Sequence, residues 1–195
     1  MSSRKAAISR ETLETKITLE LTLDGSGRAE VATGIGFFDH MLTALAKHAR
    51  FDLVLKCAGD LGVDDHHTVE DCALALGQAL DRALGERRGI ARFGSAFAPL
   101  DEALARAVVD LSGRPCAVIE LGLKREALGE LACENLSHFF TSLATTGRMA
   151  LHVDVLRGMN DHHRAEAAFK ATALALREAV RIEGPDQVPS TKGVL

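Results

Sequence analysis

The chain of 195 residues has no tryptophan and no tyrosine, and its eight phenylalanines are its only aromatic residues. Single-stranded nucleic acid is gripped by stacking bases on aromatic rings, and little is present here to build such a platform. A basic excess is missing too: 23 lysines and arginines stand against 27 acidic residues, a net charge of −4 with histidine neutral. That balance argues against a nucleic-acid or membrane-surface partner. No run of 18 or more uncharged apolar residues occurs, so no helical membrane span is expected. The opening Met1-Ser2-Ser3-Arg4-Lys5 carries no apolar segment of the secretory kind. Four cysteines (Cys57, Cys72, Cys116 and Cys133) are widely separated and form no CxxC pair. We therefore expect reduced, mostly buried thiols in a cytoplasmic protein. At this length a single core buries roughly 70% of the surface of the unfolded chain, so disulfide staples are not needed.

Histidine is where the chain departs from background. Four of its eight histidines sit in adjacent pairs, each followed three residues later by glutamate. The first pair reads Asp64-Asp65-His66-His67-Thr68-Val69-Glu70, the second Asn160-Asp161-His162-His163-Arg164-Ala165-Glu166. A single histidine precedes each pair beside two phenylalanines, in Phe37-Phe38-Asp39-His40 and His138-Phe139-Phe140. Self-similarity at this long offset indicates an internal duplication.

The elements repeat in the same way. Residues 14–23 alternate as a half-buried strand, and the turn residues 24–27 are expected to return 28–32 as a hairpin partner. Residues 37–49 have helical spacing, 51–57 read as a strand, and 69–84 as a helix closed by Gly85. The second half reads as strands at 104–111 and 116–123, a helix at 135–147, a strand at 150–156 and a helix at 163–181. These patterns predict an α/β fold: a two-layer sandwich with helices on one face of a mixed sheet. We expect a single domain over 1–195, made of similar halves at about 1–92 and 93–183, with a loose tail at 184–195.

Neighbouring helical residues point about 100° apart, so two adjacent imidazoles do not comfortably share one ion. The glutamate lies on the same face as one or the other histidine. Each pair is thus expected to serve two different metals. Six histidines and two glutamates (His40, His66, His67, Glu70, His138, His162, His163 and Glu166) divide into two sites of three histidines and one glutamate. Nitrogen and oxygen donors suit Mn, Fe, Co or Zn, and an octahedral ion with open positions favours Mn²⁺. Asp64, Asp65 and Asp161 either cap the helices or accept the second ring N–H of a ligand histidine. His48 and His152 have no counterpart in the repeat and read as ordinary side chains. Arg92, Arg114, Lys170, Ser190 and Lys192 lie in contexts suited to gripping a phosphate; Lys170 shares a helix face with Glu166, whereas the others by position alone read equally as ordinary exposed side chains.

With these flanks the chain resembles the imidazoleglycerol-phosphate dehydratases of histidine biosynthesis. The resemblance is carried by the segments Arg10–Thr15, Gly36–Leu42, Asp64–Asp71, Pro99–Leu104, Asp110–Pro115, His138–Phe140, Asn160–Lys170 and Ser190–Gly193. Gly36, Ala44 and Ser137 depart from the family pattern. The resemblance implies a duplicated fold like the second domain of ribosomal protein S5. It also implies a 24-subunit shell with two Mn²⁺ ions at each active site between subunits. The expected reaction is that of a hydro-lyase: imidazoleglycerol phosphate loses water to give imidazoleacetol phosphate, its ring bound as imidazolate between the two ions. On the same resemblance Glu14 is the expected general acid/base, with a metal-bound water as the alternative group that takes the proton, and Arg92, Arg114, Lys170, Ser190 and Lys192 are the phosphate grip. A dinuclear metallohydrolase and a non-enzymatic protein held together by metal are the rival readings.

Overall fold

A computed structural model describes residues 4–193 and residue 195. The first half runs β1 (Lys5–Glu11), β2 (Thr15–Thr22), β3 (Ala29–Ala32), α1 (Gly36–Ala49), β4 (Asp52–Gly59) and α2 (His66–Leu84). The second runs β5 (Phe93–Leu100), β6 (Ala103–Asp110), β7 (Cys116–Glu120), a small hairpin β8 (Ala127–Leu128) and β9 (Leu131–Ala132), α3 (Cys133–Thr146), β10 (Ala150–Arg157) and α4 (Asp161–Ala179). The two main sheets have the strand orders β1-β2-β4-β3 and β5-β6-β10-β7, the same topology twice.

Period-2 patterning makes each sheet two-faced. On β2, Ile17, Leu19 and Leu21 are buried while Lys16, Thr18 and Glu20 face outward. The buried face of the first sheet is covered by α1 and α2, that of the second by α3 and α4. Each half is therefore the expected sandwich with helices on one face of a mixed sheet. The halves then stack helix layer against helix layer, α2 on α3 and α1 on α4. The seam is aromatic: Phe38 of α1, Phe139 and Phe140 of α3, and Phe169 of α4 are fully buried. Phe139 lies 5.1 Å from Phe169 and 5.6 Å from Phe38, centroid to centroid. Offset and edge-on pairs of this kind add about 0.5–1.5 kcal/mol each beyond the burial of area. Each phenylalanine sits within three residues of a member of the histidine–glutamate set, so the seam fixes the helices that carry it.

Residues 28–32 do not form the expected hairpin with β2. Both edges of β2 are already taken, by β1 and by β4, and β3 pairs parallel with β4 at the sheet edge. The Asp52 carboxylate gathers the backbone N–H groups of Ser26, Gly27 and Arg28, which sets the turn down beside β4. In the second half β7 likewise pairs parallel with β10, and it ends at Glu120 rather than 123. The tail is not loose either. Arg88 bonds Asp186, the Gly89 N–H bonds the Gln187 carbonyl, and Arg92 bonds the Pro189 carbonyl. No helix among the described residues is long and apolar enough to cross a membrane.

Candidate metal and active site

The two paired histidines stand in the first turns of α2 and α4, which begin at His66 and Asp161, a few residues earlier than periodicity alone placed them. Side-chain oxygens hold both starts: Asp64 accepts the N–H of His66, and Asn160 that of His162. Asp65 accepts from the Ala132 N–H, and Asp161 from the N–H groups of Lys124 and Arg125. These aspartates thus cap a helix or pin neighbouring loops, and the ring N–H groups find other partners.

Two clusters form, and each is built across the halves. His40 of α1 joins His162 and Glu166 of α4; His138 of α3 joins His66 and Glu70 of α2. In the first, the Nε2 atoms of His40 and His162 lie 3.1 and 3.3 Å from the same Glu166 oxygen. In the second, His138 Nε2 is 3.1 Å and His66 Nε2 3.9 Å from the Glu70 carboxylate. Adjacent ligands on a divalent ion at ~2.1 Å are themselves about 3 Å apart, so the spacing fits a shared ion. The orientation fits as well, because each cluster presents Nε2 atoms and one carboxylate inward. His66 donates its Nδ1–H to the Asn135 side chain at 3.0 Å, which leaves its Nε2 lone pair free for a metal.

Charge is concentrated at Glu166. Burial would raise its carboxyl, but Lys170 at 2.7 Å and His40 outweigh that and hold it down to about 2. It is ionised at any physiological pH, as a ligand must be.

His67 and His163 join neither cluster. Their rings stand nearly perpendicular to those of His66 and His162, at 77° and 87°, and their partners are carboxylates that the sequence did not point to. The Asp60 carboxylate accepts His67 Nδ1–H at 3.0 Å, and Glu102 accepts His163 Nδ1–H at 2.7 Å. Those bonds raise both imidazoles above the ordinary histidine value. Glu102 is itself held at about 2 by the N–H of Asn160, by His163 and by the N–H of Met159. Each Nε2 then faces one more carboxylate: Glu14 at 3.6 Å from His67 and Asp101 at 3.7 Å from His163. Asp60 could have been suspected from its place just ahead of the first motif. Asn135 left no signal in the sequence.

The basic residues divide. Lys170 sits at the Glu166 cluster, and His48, set aside in the sequence as ordinary, is close enough for its charge to be felt. Burial and the Lys170 charge push His48 below the usual histidine range. Arg92 is bound to Asp110 and to the tail carbonyl just before Ser190. The chain end returns to the β6–β7 turn, where a side chain on Gly113 would strike Leu195, so Arg114 lies beside the tail that carries Lys192.

Similarity to known proteins identifies the family. The family model described as imidazoleglycerol-phosphate dehydratase matches residues 33–176. The chain belongs to the imidazoleglycerol-phosphate dehydratase family. It is 63% identical over 192 residues to a protein of that name from Phytophthora nicotianae, covering 98% of this chain but 42% of that longer one. It is 54% identical over 219 residues to the Saccharomyces cerevisiae dehydratase, covering all of both. The crystal structure of the Staphylococcus aureus subsp. aureus N315 dehydratase superposes with a TM-score of 0.83 at 33% identity, over 92% of this chain and 99% of that one. The family is one of hydro-lyases, and each cluster described above takes one histidine and the glutamate of an HHxxE run of this chain.

Proposed function

We propose that this chain dehydrates imidazoleglycerol phosphate to imidazoleacetol phosphate in the cytoplasm, using two Mn²⁺ ions at each active site. The observation that carries the reading is the pair of clusters, each with two inward Nε2 atoms and one carboxylate. Each lacks one histidine of the set of four. His67 and His163 have their Nδ1–H groups committed to Asp60 and Glu102, and their partly exposed Nε2 atoms belong to neither cluster. They are thus suited to complete clusters on neighbouring copies, and a closed assembly of 24 copies is the arrangement the family resemblance supports. Four unpaired cysteines fit a reducing compartment.

The bound ions would supply a template that holds the substrate ring and stabilises the negative charge it carries as the hydroxyl departs. The rest is done by the protein's own side chains. Glu14 stands 3.6 Å from His67 Nε2 on the exposed β1–β2 loop, and it moves the proton on the reacting carbons. Lys170 reaches the phosphate from α4, and Arg92, Arg114, Ser190 and Lys192 from the tail and its neighbours. A metallohydrolase usually bridges its ions with more carboxylates, whereas each cluster here has one.

Metal removal and restoration tests this. Stripped protein should lose turnover of imidazoleglycerol phosphate and regain it with Mn²⁺, while generic esters stay unhydrolysed. Assembly recovered with no turnover would refute an enzymatic role for the metal. Glu14→Gln should cut turnover to a small residual rate with metal load and assembly intact; full activity would remove Glu14 from the mechanism.

A further inference from the structure

Beneath the loop that carries Glu14 lies a buried polar triad that the proposed chemistry does not use. Asp71 of α2, 5% exposed, accepts a hydrogen bond from Arg10 of β1 at 2.8 Å and one from the Thr15 hydroxyl of β2 at 2.5 Å. A carboxylate only accepts, so Thr15 donates its one hydroxyl proton to Asp71. In the 3.3 Å contact between the Thr12 and Thr15 hydroxyls, Thr12 is then the donor. Thr12 Oγ1 in turn accepts the backbone N–H groups of Glu14 at 3.1 Å and Thr15 at 3.0 Å. The Glu14 carbonyl accepts the N–H of Asp60, whose carboxylate holds His67. A continuous chain of bonds therefore runs from α2, next to Glu70, to the backbone of Glu14 and on to the orienting partner of His67.

The duplication supplies an internal control. The residue matching Asp71 after the second HHxxE is Ala167. Arg10 pairs in register with Ile17 as Ala98 does with Ala105, and Thr15 and Ala103 are the first residues of β2 and β6. The triad Arg10, Thr15 and Asp71 thus becomes Ala98, Ala103 and Ala167, all buried. The sandwich closes around three alanines in one half, so the fold does not require the triad. Nor is the triad an obvious source of stability: the Arg10 side chain is 35% exposed and its Nε is buried with no partner, so its pairing with Asp71 is worth little net. It occurs in the half whose loop presents Glu14.

We propose that Asp71, through Thr15 and with Arg10, is a positioning group that locks the Glu14 loop in register with the first turn of α2. This rests on the role given to Glu14 above. Misplacing a reacting group by about 1 Å costs up to roughly 100-fold in rate. Asp71→Asn and Thr15→Val should each lower kcat by ~10- to 100-fold with KM and metal load little changed, and Thr15→Ser should keep the activity. Deuterium exchange at the amides of residues 12–15 should quicken in both impaired variants. In a Glu14→Gln background, neither substitution should lower the residual rate further. Losses that add to that of Glu14→Gln, or that track lost metal, would overturn the proposal, as would unchanged exchange at these amides. If Asp71→Asn does not fold, Thr15→Val against Thr15→Ser decides, since Thr15→Val replaces the hydroxyl by a methyl at nearly unchanged shape while Thr15→Ser keeps the hydroxyl. A fully active Glu14→Gln would instead refute the role of Glu14, while exchange would still report on the tether.

Discussion

Gly77 lies mid-way along α2, where an alanine ought to help: helix propensity favours Ala over Gly by about 1 kcal/mol. The structure says the opposite. A Cβ built there would sit 2.7 Å from both the Leu143 carbonyl oxygen and the Gly147 nitrogen of the α3 end, and closer still to the Thr146 hydroxyl. Ordinary contact begins near 3.4 Å, so backbone atoms must separate by about 0.7 Å. Thr146 cannot simply rotate away, because its hydroxyl is bonded to Leu74 O at 2.9 Å and Ser142 O at 3.2 Å. Overpacking costs ~1–3 kcal/mol and a broken hydrogen bond ~1 more, against the gain of ~1 in propensity. A net loss of about 1–3 kcal/mol follows for Gly77→Ala, worth ~2–4 °C in Tm per kcal/mol. Urea unfolding of metal-free protein measures it. Because α2 carries His66 and Glu70 and α3 carries His138, metal affinity should fall in parallel, while Gly36→Ala, which meets open space, should leave both unchanged. A Gly77→Ala protein as stable as the parent would show that α2 and α3 are not in the close contact described.

His67→Ala and His163→Ala should each lose bound manganese and break up the assembly, since they would remove ligands lent to neighbouring copies; a full metal load in an intact shell, by native mass measurement, would contradict this. The Asp52 carboxyl is held below its ordinary value of 3.8 by the N–H groups of Arg28 and Ser26. A lowered folded pKa means its contribution is present above that ordinary value and is lost as pH falls through the lowered one. Asp52→Ala should therefore be less stable than the parent at pH 7, with the gap closing in acid, and equal urea midpoints at neutral pH would refute the role.

What was legible in the sequence was whatever a local period or an exact echo records. The four helices and the inner strands announced themselves because Ile17, Leu19 and Leu21, or Phe38, Met41 and Leu42, repeat at the spacing of one face. The duplicated HHxxE and the single histidine ahead of each copy mark six histidines, of which four stand in the two clusters and His67 and His163 stand beside them. The edge strand β3 is misread because parallel pairing depends on a partner far along the chain: nothing in 28–32 says that β4 is waiting and that β2 is full. The antiparallel edge strands β1 and β5, with only one and two buried residues, are not read as strands at all. The same holds for Asp60, Glu102 and Asn135, each of which matters through a ring N–H reached only after folding. The tail looked loose because its anchors, Arg88 and Arg92, lie about a hundred residues earlier.

The exchange of His40 and His138 between halves bears on ancestry. A free-standing half would contribute one complete HHxxE and one stray imidazole, never a closed grip. Two such pieces facing each other would already have made both grips, by the same swap now seen within one polypeptide. Fusion of two such pieces would change only the connectivity, tying a reciprocal loan between equals into a single polypeptide in which the two halves can differ, as they now do at Arg10, Thr15 and Asp71 against Ala98, Ala103 and Ala167.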